Sequence, residues 1–320
     1  MVKYLKNIEI LKQKMREAPL RIGISTRALF DLEEEHKVFE TEGVEAYAKH
    51  QIRKEEEILK RGAAFEVVSR LLRLNEPGKD PYVQIILLSR NSPDLSLRAF
   101  RSIKHHGLPV VTGSFTSGKD IGPYVAAWNL DLFLSNENSD VRAAIAAGTA
   151  AATLGPVSPE WEHEESEEVR IAFDGDAVVF SAESDEIYKT EGIIGFRKHE
   201  AENAANPMES GPFGDFLKKL SILREIYLDE NGFSRIRIGI ITARDSEAHQ
   251  RVINTLRVWG TPADEAHFVG NWEKAPILKA FGAHIFFDDQ EKHILGAANV
   301  VPAGLVPGPH AADDPIIPSD

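Results

Sequence analysis

Apolar stretches with the length of β-strands alternate with helical segments along most of the sequence. In the second half the strand-like stretches are residues 170–173, 236–242 and 284–287. Parallel neighbouring strands need a crossover connection, which is usually a helix, so this alternation predicts an α/β fold with a mainly parallel sheet. The strand-like stretches of the first half are residues 20–30, 82–89, 108–115 and 130–135.

The segments between the strands are predicted to be helical or exposed. The predicted helices of the first half are residues 4–16, 44–59, 93–106 and 140–152. Residues 155–168 are rich in proline and glutamate, which is typical of an exposed linker between domains. The tail from Pro302 onward is rich in proline, glycine and aspartate, and we expect it to be loosely held.

Composition limits the kinds of protein that this chain can be. Its 320 residues are enough for two domains, and 42% hydrophobic with 27% charged residues is typical of a soluble globular protein. The formal net charge of −13 argues against binding to a nucleic acid polymer. The absence of cysteine excludes disulfides, thiolate catalysis and cysteine-ligated zinc. Without a secretory core or a long apolar run, we expect a cytoplasmic protein that does not bind membranes.

The two halves of the sequence resemble each other. At a shift of 149 residues, positions 21–51 match positions 170–200 at nine of 31 residues, including Thr-Glu-Gly at 41–43 and 190–192. After a gap of four residues the matches continue at a shift of 153. Collinear matches with one small gap favour an internal duplication over chance similarity. We therefore predict two related domains, residues 1–157 and 158–320.

The second half has aspartates and a lysine at positions where the first half has other residue types. The aligned pairs are Ser25 with Asp174, Arg27 with Asp176, Ser135 with Asp288, Asn136 with Asp289 and Ile121 with Lys274. Each acidic position that could hold a cation in the second half is therefore absent from the first. We predict that residues 1–157 are a degenerate copy and that residues 158–320 are the working one.

Polar residues of the second half stand where the predicted strands end. They are Asp174, Asp176, Thr242, Asp288 and Asp289, with Lys274 in the segment before the last strand. Ligands of open α/β sheets bind at the carboxyl ends of the strands. Two carboxylates two residues apart repel each other and are usually held by a cation, although Asp174-Gly175-Asp176 also fits a hairpin turn. Oxygen ligands of this kind suit Mg²⁺ together with a substrate phosphate.

The order Asp-x-Asp, Thr, Lys and Asp-Asp resembles that of the four motifs of the haloacid dehalogenase-like phosphatase superfamily. Longer stretches resemble the cytosolic 5′-nucleotidase family, among them ISTRALFD from Ile24, FDGDAVVFS from Phe173, ITAR from Ile241 and HIFFDDQ from His284. The resemblance spans residues 22–307. It implies two Rossmann-like, three-layer modules, the second with a cap insertion at about residues 184–229. The loop GNWEK at 270–274 keeps the lysine but otherwise departs from the family pattern.

The resemblance implies a Mg²⁺-dependent phosphomonoesterase that acts through an aspartyl-phosphate. Asp174 would be the nucleophile and Asp176 the general acid and base. Thr242 and Lys274 would stabilise the phosphoryl group during its transfer. The implied metal ligands are Asp174, Asp176 through its carbonyl, Asp288, and Asp289 either directly or behind a direct ligand.

Three residues are candidates for contact with the substrate, and each has a structural alternative. Arg244 either meets the phosphate or pairs with Asp245. His199, in the cap insertion, either touches a base or ribose or lies on a helix surface. Asn91 either binds the nucleotide or belongs to a domain interface.

The leading hypothesis is an enzyme that hydrolyses nucleoside 5′-monophosphates. Two alternatives stay open at this point: a phosphatase of sugar phosphates or other small phosphomonoesters, and a non-catalytic nucleotide sensor. The intact Asp174 and Asp176 favour an enzyme over a sensor. The degenerate half also offers a surface for a homo-oligomer.

Overall fold

The computed structural model describes residues 2–156, 158, 161, 166–245 and 248–308, with side chains from residue 7 onward. The chain divides into two compact units, Arg16–Val157, and Met1–Met15 together with Ser158–Asp320. They are called the first unit and the second unit below. Among the described helices, none combines the length and the apolar character that spanning a membrane requires. The predicted linker at 155–168 lies partly outside the described residues, and the tail beyond residue 308 lies wholly outside them.

The first unit is built on a parallel sheet. Helix α1 (Val2–Glu17) begins in the second unit and ends in the first, because the boundary in the sequence lies between Met15 and Arg16. The elements that follow are β1 (Leu20–Ile24), α2 (Thr26–Leu29), β2 (Phe30–Asp31), α3 (Glu33–Arg53), β3 (Lys60–Arg61), α4 (Phe65–Leu72), β4 (Val83–Ser89), α5 (Ser96–His105), β5 (Thr112–Phe115), α6 (Gly122–Ala127), β6 (Leu132–Ser135), α7 (Asn138–Ala146) and β7 (Ala150–Leu154). The strands of the sheet pair in parallel in the order β5-β4-β1-β6-β7, and β2 pairs with β3 in antiparallel fashion.

The second unit has a sheet of the same kind. Its elements are β8 (Val169–Phe173), α8 (Glu183–Glu202), α9 (Gly214–Ile226), β9 (Ile236–Thr242), α10 (His249–Trp259), β10 (Glu265–Phe268), α11 (Ala275–Phe281), β11 (Ile285–Asp288), α12 (Glu291–Ala297) and β12 (Ala303–Leu305). The parallel strands pair in the order β10-β9-β8-β11-β12. Counted along the chain, this is the strand order of the first unit, with the first strand in the middle. Helices α8 and α9 occupy the stretch between β8 and β9.

The strands form where the sequence is almost continuously apolar. β4 reads VQIILLS and β9 reads IRIGIIT, and nearly every side chain in both strands is buried. Such runs are typical of parallel strands that are covered by helices on both faces. In the second unit Phe286 of the sheet belongs to the same buried apolar cluster as Leu278 and Phe281 of α11. Burying each of these side chains stabilises the unit by about 1.5–3 kcal/mol.

Helices α3 and α8 are both bent at a glycine. Gly43 has φ 84° and ψ −179°, and Gly192 has φ 67° and ψ −170°. A residue with a Cβ atom is strongly strained in this region, so each helix is interrupted at its glycine. These two glycines end the Thr-Glu-Gly tripeptides that the sequence comparison aligns.

The structure corrects the helix predicted over residues 140–152. Helix α7 ends at Ala146, and β7 then runs from Ala150 to Leu154 beside β6. Alanine favours helices, but Ala151 pairs with Phe133 and is fully buried. Here packing in the sheet overrides the local propensity.

Two further predictions about local structure were wrong in part. The strand expected over residues 20–30 ends at Ile24, and α2 follows with Ser25 as its N-cap, accepting a hydrogen bond from the backbone N–H of Ala28 at 3.1 Å. The tail expected to be loose from Pro302 begins with β12, which pairs with β11. Val306, just after β12, is fully buried, so the tail is packed at least to that residue.

Candidate active site

The strand ends of the second unit bring polar residues to one edge of the sheet. β8 lies between β9 and β11, and Phe173 is level with Ile240 on one side and with Phe287 on the other. The next residue, Asp174, donates its backbone N–H to the carbonyl oxygen of Phe287 at 2.8 Å. The side chains that follow these strands therefore meet at the carboxyl edge, where open α/β sheets bind ligands.

Aromatic side chains make the surroundings of these strand ends apolar. The rings of Phe173 and Phe287, which directly precede Asp174 and Asp288, stack with their centroids 5.7 Å apart. The ring of Phe213 lies 4.7 Å from that of Phe287, centroid to centroid. The two strands therefore reach the site from a packed aromatic core, which fixes the positions of their ends.

Three buried carboxyl groups lie close together at this edge. One oxygen each of Asp174, Asp288 and Asp289 can be chosen so that all lie within 4.8 Å of one another. Burial raises the pKa of Asp174 to about 7, helped by the neighbouring Asp288 and Asp176 and opposed by Lys274. Burial likewise raises the pKa of Asp289 to about 9, and Asp174 and Asp288 add to this shift. Negative charges on these three carboxyl groups would repel one another, so a cation close to them is favourable.

Lys274 contacts two of these carboxyl groups. It directly precedes α11, and its Nζ lies 2.7 Å from Asp174 Oδ1 and 2.7 Å from Asp288 Oδ2. Burial alone would lower the pKa of Lys274, but Asp174 and Asp288 outweigh it and raise that pKa above its ordinary value. The ammonium group is therefore charged at neutral pH and lies between two strand ends.

Asp288 has a second basic neighbour, His293. Its Oδ2 lies 3.0 Å from Nδ1 of His293, and its Oδ1 accepts the backbone N–H of Gln290 at 2.8 Å. Burial would raise the pKa of Asp288, but Lys274 and His293 together hold it below its ordinary value. Of the three carboxyl groups, Asp288 is therefore the one that is ionised most readily.

Asp176 lies in a tight turn directly after β8. The turn covers Gly175–Val179, and Ala177 within it has a left-handed φ of 57°, which is uncommon for a residue with a side chain. A Cβ atom on Gly175 would lie 3.2 Å from Thr242 Oγ1. That contact would be tighter than an ordinary one, so glycine lets the turn approach the end of β9 without displacing Thr242. Thr242 itself is almost fully buried.

The side chain of Arg244 holds Asp176. Its Nε donates to Oδ2 of Asp176 at 2.8 Å and its Nη2 donates to Oδ1 at 2.7 Å. Burial would lower the pKa of Arg244, but Asp176 and then Glu200 raise it. Asp245, the partner considered from the sequence, pairs instead with Arg197 at 2.6 Å. Arg244 thus belongs to the same cluster as the predicted site residues.

The other two candidates for substrate contact lie in different surroundings. His199 is in the last turn of α8, where its Nε2 lies 3.4 Å from Glu183 and 3.2 Å from Arg251. Asn91 belongs to the first unit and donates to the hydroxyl of Tyr47 at 3.3 Å. A role for either residue in substrate binding remains a prediction.

The aligned positions of the first unit hold no comparable cluster among the described residues. Ser25 caps α2, and the hydroxyl of Ser135 accepts the backbone N–H of Glu137 at 3.1 Å. Arg27 pairs with Glu33 at 2.9 Å and with Glu137 at 3.1 Å. These side chains serve local structure and surface ion pairs.

A family model described as 5′-nucleotidase matches residues 12–313, which is nearly the whole chain. The chain belongs to the 5′-nucleotidase family. The match includes the carboxyl cluster of the second unit and the aligned positions of the first.

One relative within the curated proteins is human cytosolic 5′-nucleotidase 1B. It is 34% identical to this chain over 287 residues, which cover 87% of this chain and 47% of the human protein. The chain therefore spans about half the length of this relative. No solved structure matches the chain closely enough to count as a relative.

Three residues of this candidate site were not predicted from the sequence. They are Ser184, Arg251 and His293, which contact Arg244, Glu200 and Asp288 respectively. His293 could have been noticed, because it lies in the helical segment that directly follows Asp288-Asp289. Arg251 aligns with Arg98 in the repeat, which marks the position but not its partners.

Proposed function

We propose that this chain is a phosphoric monoester hydrolase that converts nucleoside 5′-monophosphates to nucleosides and phosphate in the cytosol. Family membership and the name of the human relative support the substrate and the compartment. The observation that carries the proposal is the position of Asp174. It is buried at the end of the central strand, 2.7 Å from Lys274, with two further carboxyl groups beside it.

The donor set of this cluster fits Mg²⁺. Three buried carboxyl groups lie close together beside the buried ammonium group of Lys274, and burial first, then the neighbouring carboxyl groups, raise the pKa values of Asp174 and Asp289. A cation with a preference for oxygen ligands supplies the missing charge. Asp174, Asp288 and the carbonyl of Asp176 would hold it, with Asp289 bound directly or behind a direct ligand. Bound Mg²⁺ would neutralise charge between the nucleophile and the substrate phosphate.

The first step forms an aspartyl-phosphate. A carboxylate oxygen of Asp174 attacks phosphorus, and the bond between phosphorus and the ribose O5′ breaks with its electron pair going to O5′. Asp176 gives a proton to O5′, so that the nucleoside leaves as a neutral alcohol. Lys274, which stays charged, and the hydroxyl of Thr242 stabilise the phosphoryl oxygens.

The second step regenerates the carboxylate. A water oxygen attacks phosphorus, Asp176 takes a proton from that water, and the bond between phosphorus and Asp174 breaks. Inorganic phosphate is released, and both carboxyl groups return to their starting states. Because Asp174 is buried, access of water to the intermediate is limited, and hydrolysis depends on a water that Asp176 orients.

The first unit is best explained as a degenerate copy of a haloacid dehalogenase-like module. Its strand order is that of the second unit, and its helix α3 bends at Gly43 as α8 bends at Gly192. These features support an internal duplication followed by loss of the catalytic residues from one copy.

Phosphate release from a panel of nucleoside monophosphates and sugar phosphates, with Mg²⁺ and with EDTA, tests the proposal. We expect Mg²⁺-dependent release from nucleotides that falls to background in Asp174→Asn. Ser25→Ala changes the aligned position of the first unit and should keep full activity. Release from sugar phosphates alone would overturn the substrate, and nucleotide binding without release would indicate a sensor.

A further inference from the structure

Arg244 is enclosed by protein groups in the second unit. Besides gripping both oxygens of Asp176, its guanidinium pairs with Glu200 and donates to Ser184 Oγ at 2.7 Å. Its Cζ lies 5.4 Å from the centroid of the Phe196 ring, and the residue is 3% exposed. Its donors are thus directed at protein groups, which makes Arg244 a poor candidate for the phosphate contact suggested by the sequence.

The contacts continue from Arg244 to two helices. Oε1 of Glu200 accepts from Ser184 Oγ at 2.9 Å and from Arg251 Nη1 at 3.0 Å. Nη2 of Arg251 donates to Glu183 at 2.9 Å. Both ends of α8 are therefore tied to α10 and, through Arg244, to Asp176. The orientation of Asp176 depends on how α8 packs.

The outer part of this network is present in both units. In the first unit Arg98 Nη1 donates to Gln51 Oε1 at 2.7 Å and to Glu35 at 2.8 Å. Arg98 aligns with Arg251 and Gln51 with Glu200 in the repeat. Both units therefore have a hydrogen bond between these two helix positions, although among the described residues only the second unit has the carboxyl cluster.

The inner part is present in the second unit alone, among the described residues. At the positions that align with Arg244 and Asp176, the first unit has Asn91 and Arg27. A unit with the same strand order is thus built without the bidentate pair. Since a buried ion pair adds little net stability compared with apolar packing, the fold gives no reason to keep it. The ion pair between Arg244 and Asp176 is found only in the unit that contains the proposed general acid.

We propose that Arg244 is a positioning residue for Asp176, and that Glu200 holds Arg244 in place from helix α8. This inference rests on the proposed function, in which Asp176 protonates the leaving O5′. A carboxyl group held at both oxygens cannot rotate, and each oxygen keeps a second lone pair that can carry the proton. Proton transfer needs the carboxyl group within hydrogen-bond reach of O5′, so loss of this grip slows the step that needs the acid.

The test compares two leaving groups in the first turnover. Rapid-quench experiments with the full chain and Mg²⁺ would measure release of adenosine from AMP and of nitrophenol from p-nitrophenyl phosphate. Nitrophenolate leaves without a proton, so its release does not need Asp176. We expect Arg244→Gln to slow adenosine release about 10- to 100-fold, because a displacement of about 1 Å has an effect of this size, and nitrophenol release less than about threefold.

Matched variants separate positioning from folding. Arg244→Lys keeps the buried charge but loses the two-point grip, so it should fold as the wild type does and show the same leaving-group dependence, more weakly. Glu200→Gln reproduces the residue that the first unit carries and should show it too. Arg98→Gln breaks the aligned bond of the first unit and should leave the ratio of the two rates unchanged.

Each result decides the inference. Equal slowing of both leaving groups by Arg244→Gln and Arg244→Lys would mean that Arg244 serves packing alone, and would overturn it. If Asp176→Asn also failed to discriminate between the leaving groups, the acid role in the proposed function would fall first. If the wild type hydrolysed a sugar phosphate but not AMP, that sugar phosphate would take the place of AMP in the comparison, because its leaving group is also an alcohol. A wild type without phosphatase activity would overturn both proposals.

Discussion

Replacing Lys274 with methionine removes an ammonium group that lies 2.7 Å from both Asp174 and Asp288 and keeps a side chain of similar length. The side chains of Lys274, Asp174 and Asp288 are 2%, 6% and 0% exposed, so water cannot take the place of the lost cation. Removing one partner of a buried ion pair destabilises a protein by about 3–5 kcal/mol. Since this lysine serves two carboxyl groups, we expect the upper part of that range in the metal-free protein at about pH 8, where Asp174 is ionised in the wild type.

Urea unfolding in EDTA and then in Mg²⁺ measures this effect. Mg²⁺ should restore part of the lost stability of Lys274→Met, because it brings charge to the same carboxyl groups. Lys49→Met is the matched control: its Nζ also lies 2.7 Å from a carboxylate, Glu45, but both side chains are largely exposed. The control should lose less than about 0.5 kcal/mol. A loss below about 1 kcal/mol in Lys274→Met would refute the reasoning that burial makes this contact strong.

Three further predictions test other parts of the chain. Asp289→Asn removes a carboxyl group whose pKa burial raises to about 9. In the folded protein this carboxyl group stays protonated far above the pKa that it has in the unfolded chain. Metal-free wild type should therefore lose stability as the pH rises from about 4 to about 9. Urea midpoints measured over this pH range should fall less steeply for the variant. Gly192→Ala places a Cβ at φ 67° and ψ −170° with no atom within 4 Å, so backbone strain alone should destabilise the protein by about 1–3 kcal/mol, and Gly43→Ala in the first unit should lower the thermal midpoint similarly. His293→Gln removes an imidazole that contacts Asp288 and lowers its pKa, and the Mg²⁺ concentration for half-maximal activity should rise about 10- to 100-fold; an unchanged Mg²⁺ requirement would contradict this role.

Local sequence was sufficient for the strands that are apolar along their whole length. β9 was predicted from its sequence with the bounds that the structure has, because its burial on both faces requires a continuous apolar run. The alanine-rich β7 and some of the short strands, such as β10 and β12, were not predicted. β7 consists of Ala-Ala-Ala-Thr-Leu, whose helical propensity gives no sign of the neighbouring strand that makes it part of a sheet.

The candidate site divides in the same way. The residue types and their positions after apolar strands predicted that Asp174, Thr242 and Asp288 would share one edge, because parallel strands end on the same side. The partner of Asp176 could not be derived in this way. Arg244 is 68 residues further along the chain, and the sequence suggested the substrate phosphate or Asp245 as its partner instead.

The sequence by itself determined which reactive groups are present: carboxylates, a lysine and a hydroxyl follow or flank the strands of the second half. It also showed that the carboxylates and the lysine are missing from the aligned positions of the first half. Only the tertiary structure decided which groups share a charge. Lys274 contacts Asp174 and Asp288 because β8 and β11 are neighbours in the sheet, and α11 begins beside their ends. Ion pairs depend on distances of a few ångströms between segments far apart in the chain, and strand order and register set those distances, whereas local periodicity does not.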